Sequence, residues 1–261
     1  MLLFFFIPGL SIGSFLNVLI DRLPRGESIL GRSYCESCKK TLSWKDLIPV
    51  LSFVYLRGRC RYCKTKLSLY YPLVELLTGI LFVFTIYYLL ITNLSTNYLI
   101  SSIYYLIIVS SLIVIFFADL KYGIIPDKII FPAIVVSLIY ITIPTFYPQF
   151  SNIPLSIFNH LLSAVGALLF FLFIYLIAKG KGMGLGDVKL SFLIGLVLGF
   201  PGAVLALYIA FLTGGFIGII LILWKKKTLI SAIPFGPFLV IGCGISLFFQ
   251  DQITQVIMDL L

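Results

Sequence analysis

Charge is the scarcest property of this sequence. Only 11% of its 261 residues are Asp, Glu, Lys or Arg, while 61% are hydrophobic. Soluble domains carry about 25% charged residues, so an ordinary soluble protein is excluded and an integral membrane protein indicated. Histidine is rarer still, with His160 the one residue of its kind. The sequence has no His-Glu-x-x-His and no Gly-x-Ser-x-Gly, which excludes the hydrolytic chemistries built on those motifs. His160 itself, next to Asn159 on the outer side of the expected topology, marks an interface rather than a catalytic base. The opening Met1-Leu2-Leu3-Phe4 has no basic n-region, and no small-x-small site precedes Asp21-Arg22. It is therefore expected to be a retained anchor and not a cleaved signal. No tandem repeat or low-complexity tract stands out.

Long apolar runs are what the chain has instead. Crossing a hydrocarbon core of about 30 Å takes about 20 helical residues, fewer where a helix tilts. Runs of that order lie near 2–20, 72–92, 98–118, 128–147, 157–178, 187–200, 202–224 and 233–250. The sixth is short and Pro201-Gly202 alone divides it from the seventh, so this pair also reads as one long broken helix. The predicted fold is an all-α polytopic membrane protein of about eight transmembrane helices. Its expected parts are a first transmembrane helix at 1–20, a small insert at 21–71, and a transmembrane domain of about seven helices at 72–261.

A net charge of +9 would hint at nucleic acid in a soluble protein, but here the distribution decides. Eleven of the 19 basic residues, Arg22 through Lys66, fall in the insert. Lys121 and Lys128 bracket the next connection on the same side, Lys179, Lys181 and Lys189 the third, and Lys225, Lys226 and Lys227 the fourth. Connections near 93–97, 143–156, 201 and 251–261 carry none. With eight spans, the positive-inside rule puts both termini outside and the insert in the cytoplasm. The expected surroundings are a lipid bilayer, with no nucleic acid partner.

The insert is close to the lower size limit for an independent core, where a metal or disulfides usually help. It carries Cys35-Glu36-Ser37-Cys38 and Cys60-Arg61-Tyr62-Cys63. Two such knuckles suit a tetrahedral Zn²⁺ on four thiolates, although the spacer of 21 residues is slightly long. Disulfides fit poorly with a reducing cytoplasm, and a redox role lacks a thioredoxin-like context. Cys243, in the last run, reads as a small buried residue.

The ten acids then become informative one by one. Asp187 ends the glycine-rich stretch Lys181-Gly182-Met183-Gly184-Leu185-Gly186 at the mouth of an apolar run. A carboxylate there is costly and reads as functional by default; the plain alternative is a loop acid that caps the next helix and stays in water. Asp119 sits at the cytoplasmic end of the third run, at a depth similar to Asp187. Asp127 opens the fourth as a natural helix cap, and Glu75 lies a turn inside the second. Two acids at matched depth on different helices are what an aspartyl hydrolase requires, because a close pair shares one proton and titrates as a unit.

These residues resemble the bacterial prepilin peptidases, bifunctional leader peptidases and N-methyltransferases of the inner membrane. The resemblance covers Gly13-Ser14-Phe15-Leu16-Asn17-Val18 with Arg22-Leu23-Pro24, both cysteine pairs, Asp46-Leu47-Ile48-Pro49-Val50-Leu51-Ser52, Leu56-Arg57-Gly58-Arg59-Cys60 and Tyr71-Pro72-Leu73-Val74-Glu75-Leu76. Asp119 with Ile125-Pro126-Asp127 is similar to the family's first aspartate motif, and Gly184-Leu185-Gly186-Asp187-Val188-Lys189 to its Gly-x-Gly-Asp motif. Ile233-Pro234-Phe235-Gly236-Pro237 looks like its last-helix signature. Arg32-Ser33-Tyr34 before Cys35 departs from the proline-containing lead-in expected there.

The resemblance implies cleavage of the basic leader of type IV prepilins or pseudopilins after a glycine, on the cytoplasmic side. Methylation of the new N-terminal amine by S-adenosylmethionine would follow. It maps the catalytic aspartates onto Asp119 and Asp187. The insert lacks a strand-turn-helix unit with a glycine fingerprint, so a Rossmann-type methyltransferase site is not expected. The methyl donor is expected between the zinc-bound insert and the membrane helices. Glu75, Gly184, Gly186 and Lys189 are the candidates for substrate or cofactor contact. Two rivals remain: a transporter with a zinc knuckle, and a pilus or secretion assembly factor that uses the insert to bind a partner. The transporter predicts acids near mid-membrane; the assembly factor predicts that either aspartate is dispensable. Neither accounts for the glycines before Asp187.

Overall fold

Helices occupy all eight apolar runs of this computed structural model, which describes residues 2–92, 98–146, 157–179, 183–224 and 234–260. Lys181, Gly182, Lys225, Lys226, Lys227 and Ile233 lie outside the described residues, as do the connection 93–97 and most of 143–156. The helices are α1 (Leu2–Arg22), α2 (Leu51–Tyr55), α3 (Tyr70–Thr92), α4 (Tyr98–Tyr122), α5 (Asp127–Phe146), α6 (Ile157–Ile177), α7 (Leu185–Leu198), α8 (Gly202–Leu223) and α9 (Gly236–Leu260). Extended pairing among the described residues is limited to isolated bridges in the insert. The chain is thus all-α and multi-pass. Five stretches, Phe4–Arg22, Tyr70–Thr92, Tyr98–Tyr122, Ile157–Ile177 and Gly202–Leu221, are long and apolar enough to cross a membrane, and Gly236–Gln250 is a shorter apolar helix. The sixth and seventh runs are separate helices. Gly199 ends α7 at φ +65°, a left-handed position that glycine adopts without steric cost.

The chain divides into two compact units, Met1–Val114 and Ile115–Leu261. In the first, α1 packs along α3. Gly9 and Gly13 form a Gly-x-x-x-Gly pair, and a Cβ on either would stand 2.8 Å from the Cα of Gly79 or Glu75. Small residues at that spacing let two membrane helices approach closely where lipid provides no hydrophobic drive. Asn17 Nδ2 donates to the Tyr71 carbonyl and the Tyr71 hydroxyl to Asp21, so the insert ends of the two helices are tied at one level.

The insert is built of two similar knuckles. In each, the first cysteine's N–H bonds back across the turn, Cys35 to Lys40 and Cys60 to Thr65, and its carbonyl accepts from Lys39 or Lys64. Those lysines stand at φ 57° and 59°, a left-handed conformation costing a non-glycine residue about 1–2 kcal/mol. Arg22, buried at the end of α1, donates to the carbonyls of Ser28, Ile29 and Arg32 and so fixes the segment leading into the first knuckle. Arg61 in the second knuckle is held by Asp46 at 2.6 Å. The Asp46 carboxyl sits below the usual carboxylate range: burial alone would raise it, but hydrogen bonds from Ser43 and Arg61 outweigh that.

In the second unit α7 is central, with α5, α6, α8 and α9 packed against it. From Asp187 to Leu198 its polar and apolar positions alike are buried, save the partly exposed Lys189 and Phe192, which explains why it shows no broad solvent stripe. Gly195 lies against the backbone of Ser163 and Ala164 in α6, where a Cβ would not fit. Ser191 Oγ donates to the Ala167 carbonyl of α6, and Ser246 Oγ to Gly202 O across the α8–α9 contact. His160 belongs to this framework. Its Nδ1 lies 2.8 Å from Leu196 O, its ring covers Gly199, and neighbouring Asn159 brackets the Phe200 backbone. Cys243 is buried.

Candidate active site and metal centre

Asp187 is the third residue of α7, and its Oδ2 accepts from the Gly184 N–H at 3.0 Å. Half of the capping expectation is therefore met. Glycine has no side chain to return the bond, so the carboxylate caps without being capped. It does not stay in water, however, being only 6% exposed. The preceding glycine, Gly186, faces Ile125, whose side chain would meet a Cβ there at 3.0 Å. The glycine-rich turn thus lets the acid sink beneath the loop that precedes α5.

Asp119 lies in the last turn of α4 and is 5% exposed. Its Oδ2 has no hydrogen-bond partner among the described residues. Facing it is Gly236, the first residue of α9, whose amide approaches the carboxylate. A Cβ on Gly236 would stand 2.6 Å from Asp119 Oδ2 and 3.2 Å from Ile125 Cδ1. Ile125 is therefore the apolar floor shared by the two aspartates' surroundings. Asp119, through Gly236, and Asp187, through Gly186, are thus both placed around the one side chain of Ile125. Two buried acids from different helices, one with an unpartnered oxygen, are a costly arrangement with no evident structural purpose.

Lys189 is engaged elsewhere. Its Nζ binds Asp127 Oδ1 at 2.7 Å and stands over the Phe131 ring. Asp127 is the first residue of α5 rather than its cap, since the Pro126 carbonyl accepts from Ile129 and Ile130. Glu75, in the other unit, is 8% exposed and finds its partner inside the insert: Oε2 accepts from the Val50 N–H at 2.8 Å. On α1, the helix packed against that of Glu75, Asn17 has a buried Oδ1 without a partner among the described residues. Sequence reasoning missed both Asn17 and Gly236 as site residues. The signal for Gly236 lay in the motif Ile233–Pro237, but which carboxylate it faces is not encoded in any local pattern.

The four cysteines converge as expected. Cys35, Cys38, Cys60 and Cys63 present sulfurs all within 4.8 Å of one another, with Cys35 Sγ and Cys63 Sγ 3.8 Å apart. Tetrahedral Zn–S bonds of about 2.3 Å put sulfurs about 3.8 Å apart, so the cage has the right size. Its electrostatics fit as well. The Cys63 thiol is pulled down to about 6 by the Thr65 hydroxyl and then its backbone N–H. At Cys38 the Lys40 backbone N–H is outweighed by burial and by Cys63 and Cys35, which push it up to about 11. Negative charge on one sulfur opposing charge on the next is the situation a divalent cation relieves.

With this geometry in hand, comparison with known proteins is specific. The profile of the Bacterial Peptidase A24 N-terminal domain matches residues 7–89, and that of the Type IV leader peptidase family matches residues 106–219. A prepilin leader peptidase/N-methyltransferase of Aeromonas hydrophila is 31% identical over 279 residues, covering 96% of this chain and 91% of the relative. One of the same name from Legionella pneumophila is 33% identical over 274 residues (94% and 90%), and one from Bacillus subtilis strain 168 is 29% identical over 259 (98% and 97%). No solved structure matches the chain significantly. On the extent of these matches, the chain belongs to the prepilin leader peptidase/N-methyltransferase family.

Proposed function

We propose that this protein is a membrane aspartic endopeptidase that removes the leader of type IV prepilins or pseudopilins and then N-methylates the new terminus. The observation that carries the peptidase reading is the Asp119–Asp187 pair: two buried carboxylates of one unit, on different helices, both placed around Ile125. In the reaction, the ionised member takes a proton from water as the oxygen adds to the carbonyl carbon after the leader glycine. The protonated member gives its proton to the carbonyl oxygen. Collapse of the resulting diol breaks the C–N bond, and the departing nitrogen takes up a proton from the pair. The products are a leader carboxylate and a free amine, with no acyl-enzyme. Gly184 and Gly186 set the depth of Asp187, and Lys189 with Asp127 offers a carboxylate–ammonium pair at the mouth of the site for a charged leader.

S-adenosylmethionine, when bound, supplies an electrophilic methyl group to that amine. Glu75 and the unpartnered Asn17 Oδ1 are buried acceptors in the α1–α3 pair beneath the insert, and such groups fit a cationic methyl donor. The four-cysteine cage supports a structural Zn²⁺ that holds the insert together. The positive-inside argument supports eight spans in the inner membrane, with both termini outside and the insert and aspartates on the cytoplasmic side. An insert at 21–71 and a peptidase domain over 72–261 follow from the same topology.

Cleavage of a prepilin-like substrate in membranes by wild type, Asp119→Asn and Asp187→Asn tests the pair. Amide replacement keeps shape while removing the titratable group. Both variants should be inactive at normal protein levels. Normal cleavage by either would sink the dyad and turn attention to Asp127 or Glu75.

A further inference from the structure

The insert turns an apolar face outward. Trp44 and Leu47 on the 3₁₀ turn Trp44–Leu47, and Leu51, Val54 and Tyr55 on α2, are all exposed, four of them between 66% and 80%. Leu51, Val54 and Tyr55 stand at i, i+3 and i+4, so they share one side of the helix. Inward, α2 offers chiefly Phe53, which covers Gly58. More apolar surface faces out than in, the reverse of what a small water-soluble domain needs.

The depth of this element is fixed by one bond. Val50, immediately before α2, donates its N–H to Glu75 at 2.8 Å. Glu75 lies five residues beyond Tyr70, the start of α3, hence about 7–8 Å along the helix axis. Tyr70 and Tyr71 are residues of the type that gathers at a membrane–water interface. The same level is reached by α1, through Asn17 and Asp21. A helix tethered to a group inside a membrane span, and carrying its apolar face outward, cannot present that face to bulk water.

We propose that residues 44–55 are an interfacial element, with Trp44, Leu47, Leu51, Val54 and Tyr55 seated in the headgroup and upper acyl region of the leaflet on the insert's side. The lipid is an anionic one. The insert carries eleven basic residues against four acidic ones; Lys45 lies within the stretch, over the Trp44 ring, and Arg57 just beyond it. Such side chains lay their stems along apolar surface and keep their charges at the phosphates. Seated this way, the insert cannot swing freely about its two links to α1 and α3, and the cysteine cage is held at a constant height above the bilayer.

Full-length protein with Trp224→Phe keeps Trp44 as its one indole, since the chain has two tryptophans. It is reconstituted in equimolar phosphatidylcholine and phosphatidylglycerol. Replacing the phosphatidylcholine by a form brominated near the top of its acyl chains should remove at least half of the Trp44 emission, and aqueous acrylamide should quench it little. Moving the probe to α2, with Trp44→Phe, Leu51→Trp and Trp224→Phe together, should give the same result. Free quenching by acrylamide without bromolipid quenching would place the face in water and overturn the proposal. Protection from both quenchers would mean that protein covers it, whether a second copy, the apolar segment of a substrate or another surface of this chain, and would overturn it equally.

Discussion

Replacing Gly236 by alanine adds one carbon directly against the Asp119 carboxylate. That Cβ would stand 2.6 Å from Asp119 Oδ2 and 3.1 Å from Asp119 Cγ, with Ile125 Cδ1 at 3.2 Å on its other side. A carbon and an oxygen come no closer than about 3.3 Å without penalty, so the carboxylate and α9 must part by about 0.7 Å. Ile125 closes the direction in which the alanine methyl could yield, and it also underlies Gly186. Asp119 is the softer group, and its Oδ2 has no hydrogen bond among the described residues to hold it. It is the carboxylate that moves. Displacement of a reacting group by 1 Å costs on the order of 100-fold, so Gly236→Ala should lower kcat by roughly 10- to 100-fold with KM little changed. Overpacking would cost about 1–3 kcal/mol besides.

The assay is prepilin cleavage in membranes at matched enzyme levels, followed over substrate concentration. Gly244→Ala is the control on the same helix, because nothing lies within 4 Å of a Cβ at that position. It should cleave like wild type, and only the helix propensity changes. A Gly236→Ala protein with wild-type kcat would refute the reasoning at its root. Either α9 does not abut the reacting carboxylate, or Asp119 is not one of the reacting groups.

Purified protein should contain about one Zn²⁺ per chain; Cys60→Ser should lose it and expose residues 21–71 to protease, as metal analysis and limited digestion would reveal. Asp46→Asn should loosen the insert in a pH-dependent manner. The folded-state pKa of Asp46 is lowered, so its contribution is full above the unfolded value of about 3.9 and is lost as pH falls through the folded one. Hydrogen exchange in the insert should therefore separate wild type from Asp46→Asn at about pH 7 and cease to do so once the pH drops below the folded-state value. Gly13→Leu should drive α1 from α3, because the backbone of Glu75 occupies the space a side chain would need; reduced membrane accumulation alongside a normal Asp119 environment is the expected result.

How much of this was legible in the sequence depends on the range of the physics involved. Apolar runs were readable because a bilayer imposes a length on each helix separately, and all eight became helices. The cysteine cage was readable because each knuckle is local and both share one pattern of turn. Asp119 and Asp187 were singled out by depth, a property that each span carries on its own. Gly9 and Gly13 were also there to be read, as a Gly-x-x-x-Gly pair, and went unread.

What sequence could not supply are the contacts that join distant segments. Gly236 meets Asp119 from a remote part of the chain, and periodicity says nothing about which glycine faces which acid. Glu75 needed a partner by any reading, but besides Ser14 its partner is a backbone amide, Val50 N–H, and every residue except proline offers one. The short helix α2 escaped notice for a related reason. Its five residues are too few for a helical period, and Leu51, Val54 and Tyr55 acquire meaning only once Glu75 fixes where they lie. The buried acids of this chain therefore do two different things. Asp119 keeps a buried oxygen without a partner among the described residues, which suits the reacting role proposed for it, whereas Glu75 is committed to the Val50 amide and to Ser14 and so ties the insert to α3 and α1.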